Sequence, residues 1–335
     1  MKRLDVFTGM IVSKYFASLN DFIAFEQVCT KFKNTLNRFH INPIPITKKM
    51  IKHFPQIETL NIWNKTDEHF GYQIFTKENA VFSNITEFNF YKVNIWYQVE
   101  FGITQFPQNN IFVFKKVCLT RKDRELLKGD IPTNVMSLET SCYADENSLT
   151  SITLPPTVYN IGDNCFFYCK NLLEVNISGR IEHIGMSCFD NCRQLSAVTF
   201  LVCLGELPEH CFNGCRSLKE ISVPKGITEL GESCFGHCDN LSKIVLPNSL
   251  KIIYRFCFQE CKSLKEVTLP PQIENIYWNA FLNCRELSRI NFPKSLKSIG
   301  QICFQGCVSL KEVCLYRSTE FCKDSFTGIN ITLIE

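Results

Sequence analysis

Apolar residues recur through the second half of the chain at an unvarying interval of 23 residues. Each unit contains a small residue followed directly by phenylalanine, with a further cysteine three residues after the phenylalanine. The small residue lies at Cys165, Cys188, Cys211, Cys234, Cys257, Ala280 and Cys303. A fixed period of this length is typical of solenoids, in which each repeat contributes one coil. The pattern therefore predicts a stack of similar coils.

Each unit also contains a short run in which apolar and polar residues alternate, as around Val175 and Ile177. Alternation with β-branched residues predicts a short strand with one buried face. In four units proline follows this run, and we expect it to end the strand because proline has no N–H for the ladder. The Cys-Phe-x-x-Cys-x-x-Leu stretch spaces its apolar residues at three and four, which predicts a short helix on the opposite side of the coil.

One coil of this kind cannot bury its own apolar side. If coils stack at roughly 4.8 Å, as neighbouring strands do, equivalent side chains of successive units form continuous buried columns. The phenylalanine column is then expected to be the centre of the core.

The repeat is regular over residues 138–335, where 331–333 is expected to be a capping strand. Strand-like patterns at 57–62, 85–90 and 114–119 predict longer, irregular repeats over residues 46–137. Residues 1–45 have apolar residues at helical spacing, which predicts a helical segment that caps the first coil.

The unit, approximately I-G-x-x-C-F-x-x-C-x-x-L-x-x-V-x-L-P, resembles the BspA-like subclass of leucine-rich repeats over about residues 138–327. The resemblance implies an α/β solenoid, a leucine-rich repeat superhelix of 23-residue repeats preceded by an N-terminal helical segment. Members of this family often lie on cell surfaces and mediate adhesion, so the resemblance also implies adhesion as one alternative function.

Residues 1–40 resemble an F-box as well. The resemblance is carried by Leu4, Ile11, Phe22 and Val28, together with a cysteine after the valine and Phe32 three residues further on. The Leu-Pro opening of that motif is absent, because Asp5 follows Leu4. An F-box before leucine-rich repeats implies a substrate receptor of a cullin-type ubiquitin ligase. Leu4, Ile11, Phe22 and Val28 would then hold a Skp-type adaptor, and the solenoid would hold the substrate.

The composition agrees with a soluble protein, and the solenoid pattern favours a protein partner. The net charge is +3 with acidic and basic residues interspersed, so no basic patch for nucleic acid is expected. The sequence has no apolar run of the roughly 18 residues needed to cross a bilayer and no evident signal peptide. We therefore expect a cytoplasmic or nuclear location, without membrane insertion.

The chain has nineteen cysteines, and the first cysteine column is best interpreted as small buried hydrophobes, because Ala280 occupies one of its positions. Redox sensing and metal binding are the two alternatives, although cysteines arranged along a line do not converge on the tetrahedron that zinc requires. We expect no cofactor and no metal.

No phosphate-binding loop or nucleophile motif is present, so a non-enzymatic protein-interaction module is the expected function. Residues beside the buried strand position should face solvent and are candidates for partner binding. They are Glu174, Asn176, Glu220, Lys243, Glu266, Arg289, Asn291, Glu312 and Tyr316. Arg289 and Tyr316 are of the residue types that dominate interface energies, and the aromatic pair Trp96-Tyr97 is an alternative anchor.

Overall fold

A computed structural model describes residues 6–74, 88–107, 110–127, 129–203 and 205–335. The chain divides into two compact units, Met1–Val117 and Cys118–Glu335. Leu4 of the F-box-like set lies outside the described residues.

The first unit begins with the helical segment that the apolar spacing predicts. Its α-helices are Val6–Ser13 and Leu19–Val28, followed by 3-10 turns at Thr30–Phe32, Leu36–Arg38 and Ile51–His53. A capping box starts the second helix: the Asp21 backbone N–H donates to the Ser18 hydroxyl, and the Ser18 N–H donates to the Asp21 carboxylate at 2.8 Å. The ring of Phe22 is fully buried, with Phe16, Phe39 and Phe54 packed edge-on against it at 5.0, 5.6 and 6.0 Å.

A three-stranded parallel sheet follows in the first unit, formed by Thr59–Ile62, Lys92–Ile95 and Phe112–Phe114. The unit also contains the two-residue strand Val99–Glu100 and the short helix Phe101–Thr104. Partner residues are 33 and then 19 residues apart, as in Thr59 with Lys92 and Val93 with Phe112, so these coils are irregular in length.

The strand predicted at 85–90 is wrong for the part that the structure describes, because the strand begins only at Lys92. The rings of Phe88 and Phe90 pack edge-on against Phe70 at 5.2 and 5.6 Å, and the Phe90 N–H donates to the Tyr72 hydroxyl at 2.8 Å. Phe88 and Phe90 are thus held by aromatic packing and by a hydrogen bond to a side chain, not by the backbone hydrogen bonds of a strand ladder. Ile85 lies outside the described residues.

The second unit is a parallel solenoid with two strand ladders. The strand Val117–Leu119 crosses the division between the units, and the capped helix Arg121–Leu126 follows it. What we call the first ladder consists of the strands Ser151–Leu154, Glu174–Ile181, Ala197–Cys203, Glu220–Ser222, Lys243–Val245, Glu266–Thr268, Arg289–Asn291, Glu312–Tyr316 and Asn330–Ile334.

The second ladder lies on the part of each coil that precedes the Cys-Phe pair. It consists of Ser137–Leu138, Asn160–Ile161, His183–Ile184, Gly205–Leu207, Ile227–Leu230, Ile252–Ile253, Asn275–Ile276, Ser298–Ile299 and Glu320–Phe321. Partners are equivalent residues of successive repeats, such as Val175 with Val198 and Ile276 with Ile299. The predicted solenoid of 23-residue repeats, which follows a helical segment in the sequence, is confirmed.

The phenylalanine column forms an unbroken stack of rings. Neighbouring ring centroids are 5.0–5.6 Å apart and neighbouring rings are inclined by 3–18°. The stack contains Tyr143, Phe166, Phe189, Phe212, Phe235, Phe258, Phe281, Phe304 and Phe326. The seven phenylalanines from Phe166 to Phe304 are among the largest fully buried side chains.

The short helix predicted for each Cys-Phe-x-x-Cys-x-x-Leu stretch is wrong, because the stretch is a series of turns. A residue with positive φ precedes the first cysteine and another follows two residues after the phenylalanine, as with Asn164 (53°) and Tyr168 (59°). Left-handed residues at this spacing interrupt a right-handed helix. They also direct alternate N–H groups to carbonyl oxygens of the next coil. The Phe166 N–H donates to the Cys188 carbonyl and the Tyr168 N–H donates to the Asp190 carbonyl, both at 2.8 Å.

Removal of one ring from the middle of the stack should destabilise the second unit strongly. Phe235 lies between Phe212 and Phe258 at 5.5 and 5.6 Å, and Phe235→Ala is expected to cost about 3–5 kcal/mol through lost transfer energy and a cavity. Urea unfolding followed by circular dichroism measures the loss. Phe167→Ala is the matched control, because Phe167 is only half-buried; equal losses for the two variants would contradict the central role of the stack.

Candidate protein-binding surface

The exposed side of the first ladder carries the residues that the sequence proposes for partner binding. In most strands of this ladder an exposed residue flanks each side of the buried one, as in Glu220-Ile221-Ser222. Seven of the nine candidates are exposed: Glu174, Glu220, Lys243, Glu266, Arg289, Asn291 and Glu312. Asn176 and Tyr316 are half-buried.

Charged residues of opposite sign lie side by side on neighbouring strands of this surface. Glu220 is the register partner of Lys243, and Glu266 is that of Arg289. The guanidinium of Arg289 lies 4.0 Å from the Glu266 carboxylate, and both side chains are largely exposed. Exposed pairs of this kind contribute about 0–1 kcal/mol to stability, so a partner could displace them at little cost.

Asn291 differs from the other candidates because its side chain is used within the fold. Its Oδ1 accepts from the Leu269 N–H at 3.0 Å, and its amide nitrogen donates to the Leu269 carbonyl at 3.4 Å. The side chain thus joins two coils, as a ladder bond would. We therefore expect replacement of Asn291 to affect packing as well as any binding.

A notch of roughly 400 Å³ lies between the strands Ala197–Cys203 and Glu220–Ser222, at one of three places in the described first ladder where neighbouring strands are not paired. We call it the first-ladder notch; it is lined by Ser196, Ala197, Val198, Thr199, Phe200, Glu220, Ile221, Ser222, Lys243 and Val245. Val198 and Phe200 are only half-buried there, whereas Val175 and Ile177 at the same repeat positions are fully buried. The notch therefore has an apolar floor with charged residues at its rim.

The local sequence distinguishes this gap from the other two, where proline follows the strand before the gap. The strands Glu174–Ile181 and Ala197–Cys203 run on past the point where four other units have proline. The two strands pair with each other through a register shift between Phe200 and Val202. Proline ends the following strand after Val223. The notch was not predicted, because its signal was only the missing proline at Leu201.

Both cysteine columns are buried in the coils. The first column, which includes Cys165 and Cys234, is fully buried against its neighbours, and Ala280 is equally buried in the same column. The second column adds hydrogen bonds: the Cys192 Sγ donates to the Phe166 carbonyl at 3.0 Å and the Cys238 Sγ to that of Phe212 at 3.2 Å. The sequence predicted the burial but missed the bonds.

Burial raises the pKa of several of these thiols, although the pKa of Cys169 is lowered, mainly by its side-chain hydrogen bond with Cys192. The pKa of Cys142 is raised to about 12, mainly by loss of solvation, and that of Cys165 and Cys234 is raised well above its ordinary value for the same reason. Such thiols stay protonated at neutral pH, because a low-dielectric surrounding disfavours the thiolate. A protonated thiol is also what the bonds from the second column to carbonyl oxygens require.

The helical segment presents only part of the F-box-like set at the surface. Ile11 is 45% exposed and Val28 is 72% exposed, whereas Phe22 is fully buried in the aromatic cluster described above. Trp96 is held in place, since its Nε1 donates to Asn61 Oδ1 at 3.1 Å and the Lys115 ammonium lies 5.7 Å from its ring.

Among the residues that the structure describes, no cluster of three or more His, Cys, Asp or Glu side chains is arranged to hold a metal ion. No helix in this described part of the chain has the length and apolar character needed to span a bilayer.

The BspA type leucine rich repeat region is the family whose model matches this chain, over residues 121–242 and 228–335. The chain therefore belongs to this leucine-rich repeat family, as its unit sequence indicated. A search of curated proteins found no match.

Several solved structures resemble the chain. One is a leucine rich repeat protein of T. pallidum, with 28% identity over 54% of this chain and 86% of that one, at a TM-score of 0.47. Another is a leucine rich cell surface protein of Faecalibacterium prausnitzii, with 19% identity over 59% and 83%, at a TM-score of 0.37. The pneumococcal vaccine antigen PcpA matches with 14% identity over 76% of both chains, at a TM-score of 0.34.

Thiol labelling should separate the buried cysteines from the exposed ones. At pH 8 in the purified protein, Cys29, Cys314 and Cys322 are expected to react quickly with a maleimide because they are exposed. The buried thiols should react only after denaturant exposes them, because the reagent cannot reach them and because the raised pKa of thiols such as Cys165 and Cys234 leaves little thiolate. Mass spectrometry of the labelled peptides measures this, and rapid native labelling of Cys165 or Cys234 would contradict it.

Proposed function

We propose that this chain is a protein-interaction module that binds a protein partner on the exposed side of the first ladder. The observation that carries the proposal is the first-ladder notch, because it combines an apolar floor with a charged rim. Buried apolar anchors surrounded by polar residues are the usual anatomy of a protein interface. Leucine-rich repeat solenoids typically bind rather than catalyse, which supports a non-enzymatic role.

The notch also explains how a mixed-charge surface could bind selectively. Solvent surrounds the exposed charged side chains, so each contributes little binding energy. These residues are Glu174, Glu266, Arg289 and Glu312. A side chain inserted into the notch would be desolvated against Val198, Phe200 and Val245, and a few such anchors carry most interface energy. In this arrangement Glu220 and Lys243 at the rim would orient the partner.

A charge placed in the notch should abolish partner capture. Val245 is 49% exposed and lines the notch, so Val245→Asp would introduce a carboxylate where an apolar anchor is expected. Val308→Asp is the control, because Val308 is 64% exposed and does not line the notch. In quantitative affinity capture, partners bound by the wild type and Val308→Asp should fall by about tenfold or more with Val245→Asp.

If Val245→Asp and Val308→Asp capture the same proteins in the same amounts, the notch is not the binding surface. A wild-type chain that captures no protein above a mock capture would contradict the interaction role itself.

A second candidate function is that of a substrate receptor, in which the helical segment binds a Skp-type adaptor. The exposure of Ile11 and Val28 favours it, because apolar side chains at the surface of a helical segment suit a helical partner. The buried Phe22 would then support the segment instead of touching the adaptor.

Binding of purified Skp adaptor tests this candidate. The wild type is expected to bind, and Ile11→Asp with Val28→Asp is expected to weaken binding by about tenfold or more, since both changes place charge in an apolar contact. Tyr91→Asp is the control, because Tyr91 is exposed but lies outside the helical segment. A wild-type chain that does not bind the adaptor would leave the helical segment as a cap of the first unit.

We further propose that the chain acts in a reducing compartment, which agrees with the cytoplasmic or nuclear location expected from the sequence. Support comes from the bonds that thiols of the second cysteine column donate, since disulfide formation would remove those donors. The maleimide labelling described above can be run on intact cells with a membrane-impermeant reagent. Labelling of Cys29, Cys314 and Cys322 before permeabilisation would favour the adhesive, cell-surface alternative.

A further inference from the structure

A second depression lies on the second ladder and shares no residue with the first-ladder notch. Its volume is roughly 500 Å³. We call it the acidic–aromatic groove and define it by Glu206, Glu209, Glu232, Tyr254, Tyr277 and Trp278. None of these residues was singled out by the sequence, because the repeat pattern assigns no role to their positions.

The groove arises from a change in one column of the repeat. The residue after the last buried aliphatic is small or compact in three coils, at Gly185, Pro208 and Gly231, and becomes Tyr254 and Tyr277 in the next two. A Cβ at Gly231 would lie 2.6 Å from the Glu209 backbone nitrogen, so only glycine fits there. The coils with small residues form the floor of the groove, and the two tyrosines form its wall.

The wall is rigid and partly open to solvent. The rings of Tyr254 and Tyr277 stack at 5.2 Å with an inclination of 13°, and Trp278 packs edge-on against Phe256 at 4.6 Å. Tyr277 and Trp278 nevertheless remain 41% and 39% exposed. Aromatic faces that are held in place and exposed are ready to receive a ligand at low entropic cost.

Carboxylates dominate the charge of this region. A smaller depression beside the groove adds Glu182 and Glu229, so the described lining of the two depressions holds five carboxylates against one guanidinium, that of Arg255. His183 lies at the edge of the smaller depression. The whole chain has a net charge of +3, so the negative charge is a local property of this surface.

The titration of two lining residues agrees with a negative local potential. The pKa of Tyr254 is raised by burial, by the hydrogen bond of its hydroxyl to Glu229 at 3.1 Å, and by the charges of Glu229 and Glu206. The pKa of Arg255 is raised by its hydrogen bond to Glu232 and by the charge of Glu209. Both shifts have the sign that nearby carboxylates impose.

The geometry points to a binding site for a lysine- or arginine-rich segment of a partner protein in the acidic–aromatic groove. Arg255 already shows how such a side chain is held, because its guanidinium pairs with Glu232 and lies 5.4 Å from the Trp278 ring. A cation near both an aromatic face and a carboxylate is stabilised by each. Tyr277 keeps an exposed ring, and Glu229 and Glu206 lie two and three coils from it along the second ladder. Successive cationic side chains of one extended segment could therefore meet the ring and the carboxylates in turn.

This inference goes beyond the proposed function, because it adds a second surface with its own chemistry. A partner that engages both surfaces of the second unit would gain affinity from the second contact without a stronger first one. The site is therefore tested with a probe that does not depend on the first-ladder partner.

The probe is a fluorescein-labelled peptide of alternating lysine and glycine, with glutamine in place of lysine in the matched peptide. Fluorescence anisotropy with the full chain should show binding of the lysine peptide only. Glu206→Gln with Glu229→Gln should raise the Kd by about tenfold, because each change removes a charge but keeps the side-chain shape. Tyr277→Ala should raise the Kd several-fold through loss of the aromatic face, roughly as cation–π energies predict.

The control variant is Glu174→Gln with Glu266→Gln, which removes the same charge from exposed residues of the first ladder. It should leave the Kd within about twofold of the wild type, as screening predicts for distant charges. Equal weakening by the groove and control variants, or equal binding of the two peptides, would overturn the proposal. So would an unchanged Kd for Tyr277→Ala. Urea midpoints equal to that of the wild type establish that the glutamine variants are folded.

Discussion

The stacking of phenylalanine rings is the interaction on which the second unit depends. Successive rings are 5.0–5.6 Å apart, and neighbouring strands are spaced at about 4.7–4.9 Å. The side-chain stack and the backbone ladders therefore advance by nearly the same step in every coil. Both can be satisfied together only if each coil has the same number of residues, which accounts for the constant interval from Cys165 to Cys303.

The same constraint determines how the turns of each coil are built. A helix would use its N–H groups within the coil, whereas left-handed residues such as Asn164 and Tyr168 direct alternate N–H groups to the next one. Thiols of the second cysteine column add bonds to carbonyl oxygens across coils, as with Cys192 and Phe166. Stacked rings, paired strands and these bonds act along one direction, so each coil is stabilised mainly by its immediate neighbours.

The buried columns were predictable because the period aligns them; the phenylalanines from Phe166 to Phe304 are fully buried, as expected. The turn conformation was not predictable from apolar spacing, since intervals of three and four suit both a helix and successive turns. Its left-handed positions often hold Asn or Ser, but Phe256 and Ile302 occupy them too, so composition alone is a weak signal. The exposed strand positions were foreseen, whereas the notch and the groove depend on differences between neighbouring coils.

Those differences matter because identical coils give a partner nothing to distinguish one from the next. Both depressions involve the same coil, which has no proline at Leu201. This coil also has the only register shifts that the described ladders record. One lies between Phe200 and Val202, and the other lies between Gly205 and Glu206. Irregularities of this kind often lie beside functional sites, because they redirect side chains without breaking the sheet. The first shift accompanies the first-ladder notch, and the second lies at Glu206 in the acidic–aromatic groove. One irregular coil thus gives the stack of repeats a distinct position on both the first-ladder and the second-ladder surface. This irregularity is compatible with folding because the ring stack continues without a break from Phe189 to Phe212.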